Sequence, residues 1–338
     1  MTRLFTDGAE SGDLLRWTSV GSYTSVVSSG QRTGSKAYRV AGAVSNAFNW
    51  KAPSAVTEFY MRWAVKSSQL NAAEVLRWLN SASAEIGRIN LVTTAPFVLT
   101  IRDNTVRGTS PALAWLANEY HVLELHVKLG GVGVGRFEIK FDGTLVVDYT
   151  GITNALGSDI QWFCFGSICP NGGPTNILDD MAINDTAGAA DNSWCGDGGV
   201  LAALVPITGA AEYTDLIAST GDPWECVNEI PANADYVYES TVNKKSTYLL
   251  SDLAGLPSGA SIARVWVELD ALETAADGDK IATLLRSATT DAQGTDQALT
   301  LAYARYLSAE YLVDPAGGED PTWTEAKLNA LQAGCVIR

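Results

Sequence analysis

The stretch that decides the fold is "YHVLELHVKLGGVGVGRFEIKFDGTLVVDYTG", residues 120–151. Its opening run is apolar or alternating over strand length, and a glycine-rich break separates it from "GRFEIKF". Asp142-Gly143 then stands between alternating residues, and an Asp-Gly pair so placed is the strongest short-range hairpin signal a sequence offers. The glycines at 130–135 lack the following helix of a dinucleotide fingerprint and the terminal Lys-Ser/Thr of a P-loop. They read as a loop between two strands.

The same stretch holds the chain's 2 histidines, with a glutamate between them: His121, Glu124 and His126. In a strand, Glu124 and His126 share a face and His121 points the other way. In a helix, His121 and Glu124 come together and His126 is left out. Neither geometry gathers the three as close zinc ligands, so a buried strand with a hydrogen-bonded glutamate is expected.

Working outward, "AYRVAG", "TEFYMRWAVK", "EIGRINLVTT" and "FVLTIRD" precede it, and "DIQWFCFGSI" and "NILDDMAIND" follow. Many short strands divided by turn residues, with almost no helical periodicity, predict a mainly β chain whose residues 1–190 form an antiparallel sandwich or jelly roll. The small, polar run "TAGAADNSWCGDGG" (186–199) marks a boundary, and 191–230 is expected to bridge the halves. Residues 231–338 predict a second antiparallel β module, with strands in "DYVYES", "STYLLSDL", "ASIARVWVELDAL", "DKIATLLRSA" and "LTLAYARYLSAEYL". One short helix is expected near 324–333, started by Thr322 or Thr324, with Glu325 in its first turn and Gly334 as its stop.

Charge separates the halves. Residues 1–190 hold 15 Lys+Arg against 16 Asp+Glu, whereas 191–338 hold 8 against 22. So acidic a C-terminal half repels phosphate backbones and anionic lipids, which argues against nucleic-acid and membrane partners. The polar start has no apolar core run, so no secretory signal is expected. No window approaches eighteen consecutive apolar residues. Cys164, Cys169, Cys195, Cys226 and Cys335 have no paired zinc-type spacing and are expected to be reduced, as in a protein folded in a cytoplasm.

Catalytic patterns are few. There is no G-x-S-x-G elbow, and only the two histidines could serve as a base. The E-x-D-x-x-E run of sandwich glycosidases is absent, since "LELHVK" lacks the second and third carboxylates. A chain without enzymatic activity is therefore expected. Asp7 and Glu10 in "FTDGAESG", with Asp179 and Asp180 in "NILDDMAIND", are candidate oxygen ligands for Ca²⁺ if the first and last strands of the sandwich lie side by side. Otherwise Asp7-Gly8 is a turn and the Asp pair caps a strand. Trp50, Trp63, Trp78 and Trp115 are either sugar-stacking platforms or core.

In order, "LFTDGAESGDLLRWTS", "SKAYRV", "TEFYMRWAV", "YHVLELHVKL", "FEIKFDGTLVVDYTG" and "ILDDMAINDTAG" resemble the concanavalin A-like (laminin-G-like) jelly-roll domain of tailed-bacteriophage structural proteins. "WECVNEIPANADYVYES", "IARVWVELDAL" and "DPTWTEAKLNALQAG" are similar to the C-terminal portions of such virion proteins. The resemblance implies a structural Ca²⁺ held by Glu10 and Asp180, with Asp7 or Asp179 as further ligands. The chain has Ala9-Glu10 where some relatives have Phe-Glu. It further implies a non-enzymatic virion protein, assembled in the host cytoplasm, that decorates or braces a capsid or tail as a homo-oligomer among other virion proteins. A carbohydrate-binding adhesion module for host-surface or environmental glycans is the alternative, and a glycoside hydrolase the third reading.

Overall fold

The computed structural model describes residues 3–41, 47–68, 73–92, 97–166, 175–187, 190–253, 255–318 and 320–338. The chain divides into two compact units, Met1–Leu201 and Ala202–Arg338. The segment 191–230 is shared between them: its first residues belong to the first unit and the remainder to the second.

The first unit runs β1 (Arg3–Asp7), β2 (Ser19–Val20), β3 (Thr24–Val27), β4 (Ala37–Ala41), β5 (Phe48–Val56), β6 (Glu58–Ser67), β7 (Ala73–Leu79), β8 (Glu85–Val92), β9 (Val98–Arg102), β10 (Val106–Thr109), β11 (Tyr120–Lys128), β12 (Gly135–Phe141), β13 (Thr144–Gly151), β14 (Ile160–Phe165) and β15 (Thr175–Asn184). One sheet has the order β13-β12-β11-β6-β15-β4-β3, with β1 also on β15; the facing sheet has the order β10-β9-β8-β7-β14-β5-β2. All these pairings are antiparallel, as in a jelly-roll sandwich. The hairpin forms where the sequence places it: Asp142 (φ 47°) and Gly143 (φ 78°) turn β12 into β13 with both central residues at positive φ, the geometry that matches strand twist.

Alternation builds the core. Phe59, Met61, Trp63 and Val65 of β6 face inward with Leu123, Leu125 and Val127 of β11, against Leu76 and Trp78 of β7 and Ile89 and Leu91 of β8. Phe59 meets Trp78 and Phe163 edge-on, with ring centroids 6.2 and 4.9 Å apart. The burial of each such side chain contributes about 1.5–3 kcal/mol. Trp50, Trp63, Trp78 and Trp115 all belong to this core. They are packing residues and present no face to a ligand.

The second unit comprises β16 (Pro206–Ile207), β17 (Ile217–Ala218), β18 (Val237–Tyr238), β19 (Lys245–Leu250), β20 (Glu268–Ala271), β21 (Lys280–Ser287), β22 (Thr290–Gln293), β23 (Gln297–Ala298), β24 (Ala304–Leu307), α1 (Glu325–Leu328) and β25 (Gln332–Ile337). Its main sheet is ordered β16-β19-β25-β21-β22, with β23 on β21, and β17-β18 and β20-β24 form separate pairs. Two expectations are corrected here. The long alternating run at 260–272 is a strand only at Glu268–Ala271, because its partner β24 offers four residues; Val265 makes an isolated bridge to Tyr311. The helix is also shorter than 324–333. Thr324 caps it, accepting from the Lys327 amide, and Gly334 lies inside β25. A Cβ there would stand 1.9 Å from the Ser246 carbonyl oxygen, so this glycine serves close strand approach.

Candidate functional site

Antiparallel pairing of β1 with β15 brings the two acidic segments together, with Asp7 opposite Met181. Asp180 sits at φ 53°, and the ladder with β6 shifts register between Asp179 and Ala182. At this bulge β15 changes neighbour, pairing with β4 before it and β1 after it. Glu10, Asp179 and Asp180 meet the loop at 31–36, and Asp7 has donors of its own outside that loop. Asp7 Oδ1 accepts from the Ala9 amide (2.9 Å) and Oδ2 from the Tyr38 hydroxyl (2.6 Å). Burial, reinforced by Asp7, pushes the Tyr38 pKa well up.

Glu10 accepts from the Ser35 amide (2.9 Å), the Ser35 hydroxyl (2.8 Å) and the Lys36 amide (2.8 Å). Burial still raises its pKa. Asp179 accepts from the Arg32 amide (2.8 Å) and the Asp180 amide (2.8 Å). Asp180 accepts from Arg32 Nη1 (2.9 Å), the Val200 amide (2.9 Å) and the Thr33 hydroxyl. Burial, with Asp180 adjacent, pushes the Asp179 carboxyl up to about 7.

The fit to a hard cation differs among the four. Glu10 Oε1 and the Val200 carbonyl oxygen lie 2.3 and 2.9 Å from where a Cβ of Gly34 would stand. Thr33 Oγ1 touches both Asp180 and that carbonyl (3.3 Å to the latter). Glu10, Thr33, Asp180 and Val200 thus supply oxygens to one corner, the donor chemistry a hard cation takes. Asp7 and Asp179 turn to other donors. Among the described residues, no three His, Cys, Asp or Glu side chains gather as ion ligands.

The histidines separate as strand alternation requires. His121 lies on the core side beside Trp115 and Phe141, with Nδ1 2.7 Å from Asp142 Oδ2 and Nε2 accepting from the Leu116 amide at 3.2 Å. His126 lies on the outer face, stacked on Tyr60 (4.1 Å between centroids, 6°). One ring nitrogen of His126 meets Glu138, and the other meets Glu58 at 2.9 Å. The segment 194–196 covers this face: the Gly196 amide donates to Glu124 (3.0 Å), Lys140 lies over the Trp194 ring, and Trp194 meets Tyr60 edge-on. The cluster is closed by the chain itself.

The outer face of the opposite sheet is polar and half-exposed. With Trp78, Ile89 and Ile101 in the core, alternation turns Arg77, Arg88 and Arg102 outward. Strand register then sets them side by side, because Arg77 is opposite Arg88 and Arg88 is opposite Arg102. Cys164 and Asn49 continue the row across β14 and β5. Trp162 and Lys51 form the next row, with the Lys51 ammonium 5.2 Å from the indole centroid. On the other side, Asn90 is opposite both Glu74 and Thr100.

Glu74 lies 3.4 Å from Arg77 and 3.6 Å from Arg88, and Glu85 lies 3.6 Å from Arg88. Burial raises the Glu74 pKa despite these arginines. Arg77 and Arg88 keep 22% and 31% of their side-chain surface exposed. Alternation in "LRW", "GRI" and "IRD" carries the outward orientation; that the three strands are neighbours is visible only in the fold. Cys164, Cys195, Cys226 and Cys335 carry free thiols, while Cys169 lies outside the described residues.

No family model and no curated protein matches the chain. Solved structures of similar shape cover about half of it. An endo-β-1,4-glucuronan lyase from the fungus Trichoderma reesei has 18% identity and TM-score 0.42, over 54% of this chain and 95% of that one. Domain 4 of an arabinanase from Geobacillus stearothermophilus, in complex with arabinotriose, has 13% identity and TM-score 0.39, over 54% and 92%. A carbohydrate esterase from Shiga toxin-encoding bacteriophage phi24B has 17% identity and TM-score 0.39, over 54% and 97%. The expectation of a chain without enzymatic activity is corrected by this result, since the similar structures include lyases and an esterase. That expectation was drawn from missing nucleophiles and paired carboxylates, a test of hydrolysis that eliminations do not have to meet.

Proposed function

We propose that the first unit engages polysaccharide on the outer face of the sheet β10-β9-β8-β7-β14-β5-β2. One observation carries this reading: Asn49, Trp162, Arg77, Arg88, Asn90, Thr100 and Arg102 form one polar, half-exposed surface on a rigid sheet. Planar amide and guanidinium groups suit paired sugar hydroxyls. An indole offers an apolar face to the C–H side of a pyranose. Sheet positions hold such groups more firmly than loops do.

The test is affinity electrophoresis and calorimetry of the full chain against neutral and acidic polysaccharides, with Trp162→Ala and Asn90→Ala beside it. Retardation by at least one polymer, weakened in both variants, supports the reading. Absence of binding across the panel, or binding indifferent to both variants, overturns it. Assays of new reducing ends and of unsaturated products on the same mixtures measure whether bonds are cut.

Placement on a phage particle, as a homo-oligomer contacting other virion proteins, belongs to this proposal through the sequence resemblance. A polysaccharide-binding sandwich on a virion would meet host-surface glycans. Immunogold labelling of intact particles tests it.

A further inference from the structure

We propose that the ligand of this face is a polyuronate, a polysaccharide bearing one carboxylate per sugar, read by Arg77, Arg88 and Arg102. The inference deepens the polysaccharide reading and depends on it. The three arginines occupy directly opposed positions on β7, β8 and β9, so their guanidinium stems are about 4.8 Å apart from strand to strand. An extended 1,4-linked chain crossing the strands advances by a similar distance per sugar, so its repeat is commensurate with the row of arginines.

Like charges directly opposite one another destabilise a sheet, and among the described residues Glu74 and Glu85 are the carboxylates that pair with this line. Those two approach no closer than 3.4 Å. Arg88 Nε is buried without a hydrogen-bond partner, as is Glu74 Oε1. Arg102 makes two long bonds, to the carbonyls of Asp103 (3.4 Å) and Asn104 (3.3 Å). With Lys51 alongside, Arg77, Arg88 and Arg102 outnumber Glu74 and Glu85 among the described residues of this face. A planar carboxylate accepts two parallel N–H donors from a guanidinium, which favours uronate over a neutral sugar.

The experiment compares polygalacturonate with the same polymer after reduction of its carboxyl groups, using the full chain by calorimetry. It is repeated with Arg88→Gln and Arg102→Gln, with Arg136→Gln on the other sheet as a control. Dextran sulfate and single-stranded DNA serve as competitors at matched ionic strength. The expected result is binding that falls about tenfold or more on carboxyl reduction and about tenfold in each arginine variant, the loss of one charge-assisted hydrogen-bond pair. Arg136→Gln leaves it unchanged.

Equal binding of the reduced polymer overturns the uronate assignment while the polysaccharide reading stands. Equal competition by dextran sulfate or DNA makes the face a general polyanion surface and likewise overturns the assignment. Failure to bind any polysaccharide removes both. The reduced polymer tests the claim on the native chain, so a variant that misfolds does not leave it open.

Discussion

Asp179 shows how one residue's surroundings set a measurable property. Its carboxyl is buried beside Asp180 and is pushed up to about 7, above the unfolded value near 3.9. A group whose folded pKa is raised stabilises the fold below the unfolded pKa and loses that contribution as pH rises through the folded one. The melting temperature of the chain without divalent cations should therefore fall between about pH 4 and pH 7, and Asp179→Asn should flatten that slope. A slope identical in the variant would contradict the assignment.

A bound hard cation would reverse the penalty by favouring the ionised carboxylates. We propose Ca²⁺ at the corner formed by Glu10, Asp180 and the Val200 carbonyl. Added Ca²⁺ should raise the melting temperature at pH 7.5, and Glu10→Ala should abolish the response; an unchanged melting curve on Ca²⁺ addition would sink it. The sequence pointed to these four residues because carboxylates at both ends of a sandwich meet once β1 and β15 pair. It could not show that Asp7 turns to the Tyr38 hydroxyl and Asp179 to the Arg32 amide, because each of those donors is distant in sequence from the carboxylate it meets.

Among the elements, the β7–β8–β9 meander matters most. Gly87 lies on β8 against the Trp78 ring. A Cβ there would stand 2.5 Å from the indole and 2.9 Å from the Arg102 carbonyl oxygen. Gly87→Ala should cost about 1–3 kcal/mol through overpacking, read as a lower denaturation midpoint, and should weaken polysaccharide binding because Arg88 and Arg102 flank the site. Full stability in that variant would contradict the packing described. At the β12–β13 turn, Gly143 at φ 78° should lose about 1–2 kcal/mol on substitution by Val, without effect on binding.

Period-two alternation made the strands of the sandwich readable, and the Asp-Gly pair made the hairpin readable, whereas the choice between core and stacking for the tryptophans needed the fold. Lateral order was not readable. Arg77, Arg88 and Arg102 lie in three separate segments, and nothing local to any of them says the three stand in one row. In the second unit, alternation at 260–272 overstated strand length because a ladder extends only as far as its partner.

At the scale of the whole molecule, the division at Leu201 separates a sandwich with its own large core from a smaller, strongly acidic unit. A domain with its own core can fold alone. Residues 1–201 expressed by themselves should unfold in one cooperative transition and retain polysaccharide binding, whereas residues 202–338 should bind none. Calorimetry on both fragments checks this, and binding confined to the second would place the site on the wrong unit.

The most direct measurement is a crystal structure of the full chain soaked with a short oligouronate. The expected result is sugar density across β5, β14, β7, β8 and β9, with carboxylates on Arg88 and Arg102. Density over the His126 face instead, or none at saturating ligand, would contradict it.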